Sequence, residues 1–358
     1  MTTQNSATRQ VTCAAIRDRI DAVLAEFLEG KSRQAAARNH PAEITDVLHD
    51  FLFAGGKRLR PVLCVLGYHA VRGHRTSAPV AQVAASLELF HAFCLIHDDV
   101  MDHSATRRGR PTVHRTLAVR HHDHPAAAQL GTSAAILTGD LALVWSDELL
   151  ATGHLTRTQR AAIRPLVDAM RTEVMYGQYL DLTATGQPTA NTGTALEIIR
   201  YKTAKYTVER PLHIGAALAG ADKQFFDSLS AFALPLGEAF QMRDDLLGVF
   251  GTPAETGKPA LDDLREGKHT VLAALALMNA DITQTRLLRA GYGNPHLTED
   301  NAATLRAVLK ATGAAQTVED MIRARYTQAL TALRDVAVPE PVGAQLRALA
   351  ETAVWRRS

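Results

Sequence analysis

The sequence predicts an all-α fold. Long stretches rich in Ala and Leu carry apolar residues at helical spacing, and runs that alternate apolar and polar residues at the strand period are scarce. No internal repeat, low-complexity tract or interdomain linker interrupts these stretches. The chain has 358 residues, enough to bury one large core. Residues 11–358 therefore read as a single all-helical domain, a large bundle around a central cavity, preceded by a polar tail.

Taken in order, Met1 to Gln10 lacks the apolar core of a signal peptide and reads as a disordered terminus. The run Gly55-Gly56-Lys57-Arg58-Leu59-Arg60-Pro61 closes one helical segment and opens another, with Pro61 suited to a first turn. Lys57 and Arg60 can converge on one phosphate group, which a guanidinium grips with paired hydrogen bonds. On its own such a cluster is ordinarily a solvated surface.

The stretch 79–103 is a helix with a mixed stripe. Ala84, Leu87, His91, Cys94, Asp98 and Asp102 follow one another at i+3 and i+4 steps, so they share a face that is apolar at one end and acidic at the other. Like charges one helical turn apart repel by roughly 0.3 kcal/mol, and a hard divalent cation reverses that balance. A stripe of this kind suits a hydrophobic tunnel with metal at its mouth. The basic pair Arg107-Arg108 follows at once. Farther on, His121-His122-Asp123-His124 looks like a metal-ligand run, but adjacent histidines do not share a helix face and Pro125 follows, so it reads as a loop.

Helices are expected over 126–151, 157–185, 192–220 and 222–250. In the second of these, Gln178 and Asp181 either line a site or satisfy local hydrogen bonds. The last two contain Pro211 and Pro235, which should kink or divide them. The stretch 222–250 ends in Phe240-Gln241-Met242-Arg243-Asp244-Asp245-Leu246-Leu247-Gly248, a second acidic pair at the polar end of an amphipathic segment. Gly251 to Gly267 reads as a long loop carrying Lys258, able to close over a metal cluster. Within it Asp262-Asp263 reads as a local partner for Arg265 or Lys268, with an outer-shell contact to the metal as the alternative and direct ligation disfavoured.

Two carboxylate clusters on separate helices can face each other across a cavity. Carboxylates without a His/Cys ligand set favour magnesium over zinc, and magnesium so held shares its remaining positions with substrate phosphates. The ligand is then phosphorylated. Arg107, Arg108, Lys202, Lys258 and Lys268, with Lys57 and Arg60, supply enough cations for more than one diphosphate. A net charge of +2 makes no general basic field, which argues against nucleic acid. Three cysteines without metal-ligand spacing suit a reducing cytoplasm. No uninterrupted apolar run reaches the roughly 18 residues of a membrane span, so stable membrane insertion is not expected.

These motifs resemble those of the trans-type polyprenyl diphosphate synthases over about residues 40 to 330, most closely the bacterial short-chain geranylgeranyl enzymes. The resemblance is carried by GGKRLRP at 55–61, HDDVMDHSATRRGRPTVH at 97–114 and YKTAKYTVERPLHIGAALAG at 201–220. It continues through FQMRDDLLG at 240–248 and GKPALDDLREGKHT at 257–270, in the family's order. It implies an isoprenoid-synthase helical bundle and a head-to-tail condensation of isopentenyl diphosphate with an allylic diphosphate, aided by a trinuclear magnesium cluster. Carried over by position, it places Lys57, Arg60, His91 and Arg108 on isopentenyl diphosphate, and Asp98, Asp102 and Asp244 on magnesium with Asp99 and Asp245 in support. Arg107, Lys202, Thr203, Gln241, Lys258 and Lys268 fall to the allylic diphosphate or its metals. A homodimer is implied too. One position departs: where the family's second motif commonly ends in Asp, this chain has Gly248.

Product length is assigned on the same footing. The family's common length determinant, five residues before the first aspartate, is Phe93, and it lies about 7.5 Å of helix rise below the motif. Cys94 beside it is small, and the first motif lacks the longer bacterial farnesyl-type insertion. Geranylgeranyl diphosphate is the implied product and farnesyl diphosphate the second choice, although helical spacing puts Cys94 rather than Phe93 on the Asp98 stripe. Two other classes compete. A class I terpene cyclase shares the first aspartate motif but has no need of Lys57, Arg60 and Arg108. A non-catalytic subunit of a heteromeric synthase would have lost more of the motifs than Gly248.

Overall fold

The computed structural model describes residues 12–73, 77–252 and 261–355. The polar tail 1–10 and Lys258 lie outside the described residues. The remainder is helical apart from one small hairpin. Helix α1 (Cys13–Ala37) starts at Thr12, whose hydroxyl accepts from the Ala15 amide, and α2 (Glu43–Phe53) and α3 (Leu59–Arg72) follow. Helix α4 (Ala78–Met101) runs through the interior, in contact with α1, α3 and α6 (Ala127–Ala151). Its residues 83–90 are all buried, which explains why no clean amphipathic stripe governs that half of it.

Two-residue strands, Thr106–Arg107 and Arg110–Pro111, pair antiparallel after α4. The residues between them, Arg108 and Gly109, have φ of 52° and 72°. Positive φ at both central positions is what a two-residue hairpin turn of type I′ demands. Helix α5 (Val113–Arg120) follows, and His121 ends it with its Nε2 2.9 Å from Glu43 Oε2. The histidine run is thus a turn, as its spacing indicates.

Helix α7 (Arg157–Ala184) opens on a capping box between Thr156 and Gln159. The expected helix over 192–220 is instead three pieces: α8 (Thr192–Ile198), a π-helical stretch Ile199–Glu209, and α9 (Arg210–Leu218). Pro211 lies in the first turn of α9, where its missing amide costs least, and the α-ladder before it is broken. Helix α10 (Lys223–Phe250), by contrast, passes Pro235 undivided. It is packed against the π stretch and against α15 (Ala314–Asp335), and that packing outweighs the ~3 kcal/mol penalty of an interior proline.

The end of the expected 251–267 loop is a helical turn, α11 (Asp262–Glu266). The rest of the bundle is α12 (Val271–Asn279), α13 (Ile282–Gly291), α14 (Glu299–Ala311) and α16 (Glu340–Val354). One contiguous apolar core reaches from Ile16 in α1 to Val354 in α16. Helices α4 and α6 are long and apolar enough to span a membrane by length and composition alone, a test that core helices also pass. Helix α4 spends its apolar surface inside the bundle, whereas only 28% of the most apolar window of α6 is buried.

Candidate active site

The end of α4 presents Asp98 and Asp102 one helical turn apart, with the Asp102 amide bonded to the Asp98 carbonyl at 2.8 Å. Cations and donors from three other elements meet them. Lys202 Nζ, on the π stretch, is 3.3 Å from Asp98 Oδ1 and 2.6 Å from Asp181 Oδ2 on α7. Gln178 Nε2 donates to Asp98 Oδ1 at 3.1 Å. Lys268 Nζ, after α11, is 3.0 Å from Asp102 Oδ2 and 2.9 Å from Glu266. Burial disfavours the Lys268 ammonium, but Asp102, Glu266 and Asp98 outweigh it and hold its pKa well above the ordinary lysine range. Gln178 and Asp181 are not among the residues that line the cavity; each meets the site through a hydrogen bond, Gln178 to Asp98 and Asp181 to Lys202.

Lys202 and Thr203 reach the carboxylates because two glycines let neighbouring helices close on the π stretch. A Cβ at Gly177 of α7 would sit 2.4 Å from the Lys202 amide nitrogen, and one at Gly237 of α10 would sit 2.4 Å from Ala204 Cα. On the α10 side Thr203 Oγ1 donates to Gln241 Oε1 at 2.7 Å, and Gln241 Nε2 donates to Asp245 Oδ1 at 2.8 Å. Burial is the main cause that pushes the Asp245 carboxyl up to about 8, with Asp244, Asp263 and Asp181 adding to it against the Gln241 bond.

Asp99 requires a correction. It is 1% exposed and lies off the cavity, with Arg107 Nε donating to its two oxygens at 2.9 and 2.8 Å. It is a positioning residue: it aims Arg107, whose Nη2 reaches Asp98 Oδ2 at 3.3 Å. Adjacent helical residues point about 100° apart, which is why one aspartate faces the cavity and its neighbour the interior.

The opposite wall is cationic. Arg58 takes a left-handed φ of 48° and turns its guanidinium inward, to Glu88 Oε1 at 2.9 Å, Asp21 Oδ1 at 2.8 Å and the Leu52 carbonyl at 2.6 Å. That anchor leaves Lys57 and Arg60 on the cavity side. Arg60 stacks 4.1 Å over the Tyr206 ring and donates to Thr207 Oγ1 at 2.6 Å. Its Nε is buried without a hydrogen-bond partner among the described residues. His91 Nδ1 lies 3.2 Å from the Tyr206 hydroxyl. Burial, then the charges of Arg60, Arg108 and Arg107, hold the His91 imidazole well below the usual histidine range, so it is neutral. Arg108 donates to the Gly55 carbonyl.

A cavity of about 750 Å³ joins the two walls. Lys57, Arg60, His91, Asp98, Arg107, Arg108, Lys202, Thr203, Gln241, Asp244 and Lys268 all line it. The order in which these motifs occur along the chain has a counterpart in known proteins: residues 41–310 match the polyprenyl synthetase family. The chain belongs to that family.

The relatives of this polyprenyl synthetase carry several product names. It is 32% identical over 276 residues to the geranylfarnesyl diphosphate synthase of Aeropyrum pernix, covering 76% of this chain and 80% of that one. It is 30% identical over 306 residues to the (2E,6E)-farnesyl diphosphate synthase of Mycobacterium tuberculosis, covering 85% and 80%. Its fold superimposes, with a TM-score of 0.91, 40% identity and 96% and 98% coverage, on a geranylgeranyl pyrophosphate synthase from Corynebacterium glutamicum complexed with isoprenyl diphosphate and magnesium. The protein is thus an all-α prenyltransferase.

The donor set of this polyprenyl synthetase fits a divalent metal. Among the described residues no three His, Cys, Asp or Glu side chains converge as a complete protein cage. Carboxylates on α4 and α10, separated by lysines, suit a hard cation that completes its shell with phosphate oxygens and water. The two residues to which the resemblance assigns product length lie elsewhere. Phe93 stacks among Phe90 and His97, at ring separations of 5.5 and 4.7 Å, and Cys94 is half-buried against Tyr206; desolvation pushes its thiol up to about 11 against the opposing effect of the Tyr206 hydrogen bond. Neither lines the cavity described above; Leu95 does.

Three contributors were hidden in the sequence: Arg58, Glu88 and Tyr206. A signal existed for Glu88, a lone acid among the apolar residues of α4, which a buried position obliges to find a cation. The reading of Asp262-Asp263 as a partner for Arg265 or Lys268 is supported in its Lys268 half, since the charge of Asp263 is among those that raise Lys268. Arg265 donates to the Leu297 carbonyl, and Lys268 pairs with Asp102 and Glu266.

Proposed function

We propose that the protein is a magnesium-dependent, chain-elongating synthase that condenses isopentenyl diphosphate head to tail with allylic diphosphates, giving geranylgeranyl diphosphate and pyrophosphate. The observation that carries this reading is the two-walled cavity. Lys57, Arg60, His91 and Arg108 form a cationic pocket apart from the carboxylates, and Lys202 and Lys268 stand among the carboxylates. A cyclase, which handles one diphosphate, needs no first wall. The geranylgeranyl product is supported by the name of the Corynebacterium structure and by the short first motif.

Magnesium, when bound by Asp98, Asp102 and Asp244, supplies Lewis-acid stabilisation of the leaving diphosphate. Lys202, Lys268 and Arg107 add fixed positive charge where negative charge develops on the leaving group. Arg60, held by Tyr206 and Thr207, and neutral His91 orient the second substrate so that its double bond faces the allylic carbon. The helix-packed interior keeps water from the allylic cation. Among the described residues no side chain is placed as a base for the final proton, a role that falls to the departing pyrophosphate.

The protein is read as a single domain over 11–358, cytoplasmic, with its cysteines as free thiols. A homodimer is supported by apolar residues left exposed on α6 and α7: Ile136, Leu137 and Val144, with Met175, Tyr176 and Tyr179. Incubation of purified protein with magnesium, isopentenyl diphosphate and allylic primers, followed by chromatography, tests the reading. Geranylgeranyl diphosphate is the expected product, and no elongation with any primer would refute it. Lys57→Ala or Arg60→Ala should mainly raise the KM for isopentenyl diphosphate. Light scattering at micromolar concentration should give the dimer mass.

A further inference from the structure

Gly248 is the position where the chain departs from its family's second aspartate motif, and its surroundings show what stands in the vacated space. A Cβ built on Gly248 would lie 1.6 Å from Asp263 Oδ2 and 2.7 Å from Asp263 Cγ. The carboxylate of Asp263, brought in by α11, therefore occupies the volume that a side chain at 248 would fill. Gly248 follows Asp244 by one helical turn, so that volume is on the Asp244 face of α10. Gly248, Asp263, Asp244 and Asp245 all line the same cavity.

What fixes Asp263 is independent of its carboxylate. Leu264 is fully buried, its carbonyl accepts from the Gly293 amide at 2.8 Å, and Arg265 clamps the Leu297 carbonyl at 2.8 Å. The turn is tied down by backbone bonds and an apolar anchor, and the acid is left directed at α10. The charges of Asp244 and Asp263 both act on the Asp245 carboxyl and raise it, a repulsion that a hard divalent cation offsets.

We infer that Asp263 supplies, from α11, the carboxylate that the second aspartate motif lacks at Gly248, and so completes the α10 half of the metal–diphosphate site. This rests on the proposed metal-dependent reaction. The acid is interchangeable between the two positions: Asp at 248 makes Asp263 dispensable, and Gly at 248 makes it necessary. Room for the exchange exists, since Asp263 Cβ is 3.4 Å from the built Cβ, an ordinary contact once the carboxyl group is removed.

The test is calorimetric titration of manganese and magnesium into protein holding inorganic pyrophosphate, with melting temperature in chelator as the control for folding. Asp263→Ala and the near-isosteric Asp263→Asn should each weaken metal binding by about 10- to 100-fold while melting in chelator no lower than wild type. Gly248→Asp combined with Asp263→Ala should return metal affinity to within about threefold of wild type. Wild-type affinity in Asp263→Asn would show that the side chain only fills space and would overturn the inference. So would a double variant as weak as Asp263→Ala. Absence of metal-dependent pyrophosphate binding in the wild type would instead remove the proposed reaction, and this inference with it.

Discussion

Asp98 and Asp99 are neighbours in sequence with opposite surroundings, and the contrast sets the expectations for single residues. Asp98→Ala removes a carboxylate that meets Lys202, Gln178 and Arg107 at the cavity. Turnover should fall by about 100-fold or more with the melting temperature little changed, and near-normal steady-state rates in folded Asp98→Ala would refute its role. Asp99→Asn keeps the shape but weakens the grip on Arg107, so its effect should be smaller on turnover and visible as a raised KM for the allylic substrate. Arg58 belongs to stability. Replacing it by Met leaves Glu88, 3% exposed, without its cation, at a cost of about 3–5 kcal/mol, readable by denaturant titration. At this scale the sequence announced residue types and their order. Direction was not legible, because whether Arg58 or Arg60 turns inward depends on Glu88 and Asp21, which lie far away along the chain.

At the scale of elements, the π stretch Ile199–Glu209 decides where Lys202 and Thr203 point. The wider pitch of such a stretch leaves much the same apolar pattern as an α-helix over a short window, so the sequence reading of a helix over 192–220, kinked or divided at its proline, was right about helicity and division and blind to the pitch. Pro211 was the visible clue, and it marks where the ladder changes. The close approach that seats the stretch depends on Gly177. Gly177→Ala would drive a methyl group to 2.4 Å from the Lys202 amide nitrogen, a backbone contact that cannot swing away. Overpacking of this kind costs roughly 1–3 kcal/mol, and the displaced Lys202 should lower turnover as well as melting temperature. An unchanged rate with an unchanged melting temperature would show that the stretch is more pliable than its packing implies.

For the molecule as a whole, the bundle and its central cavity were legible from helical periodicity and motif order, and the one hairpin was not. Chain length of the product is a whole-molecule property, since it depends on how deep the apolar interior below Asp98 extends before a bulky side chain stops it. Phe93 packs between Phe90 and His97, and Cys94 against Tyr206. Phe93→Ala should lengthen the product, by on the order of one isoprene unit for each turn of about 5.4 Å opened. Cys94→Phe should shorten it, with some loss of affinity for isopentenyl diphosphate because Tyr206 also supports Arg60 and His91. Identical chromatograms for Phe93→Ala and wild type would mean that the floor is formed elsewhere.

The Arg108-Gly109 turn makes the two walls of the cavity mechanically one. Arg107 is gripped by Asp99 on one side, and Arg108, next along the chain, reaches the Gly55 carbonyl on the other. Positive φ at both central residues fits the turn to the hairpin that links the walls. On the proposed two-substrate reaction, filling one diphosphate pocket should therefore shift the guanidinium that serves the other. Gly109→Val, with φ at 72°, strains that connection. Initial-rate patterns for this variant should show the KM values of both substrates rising together, where damage to a single pocket would raise only one.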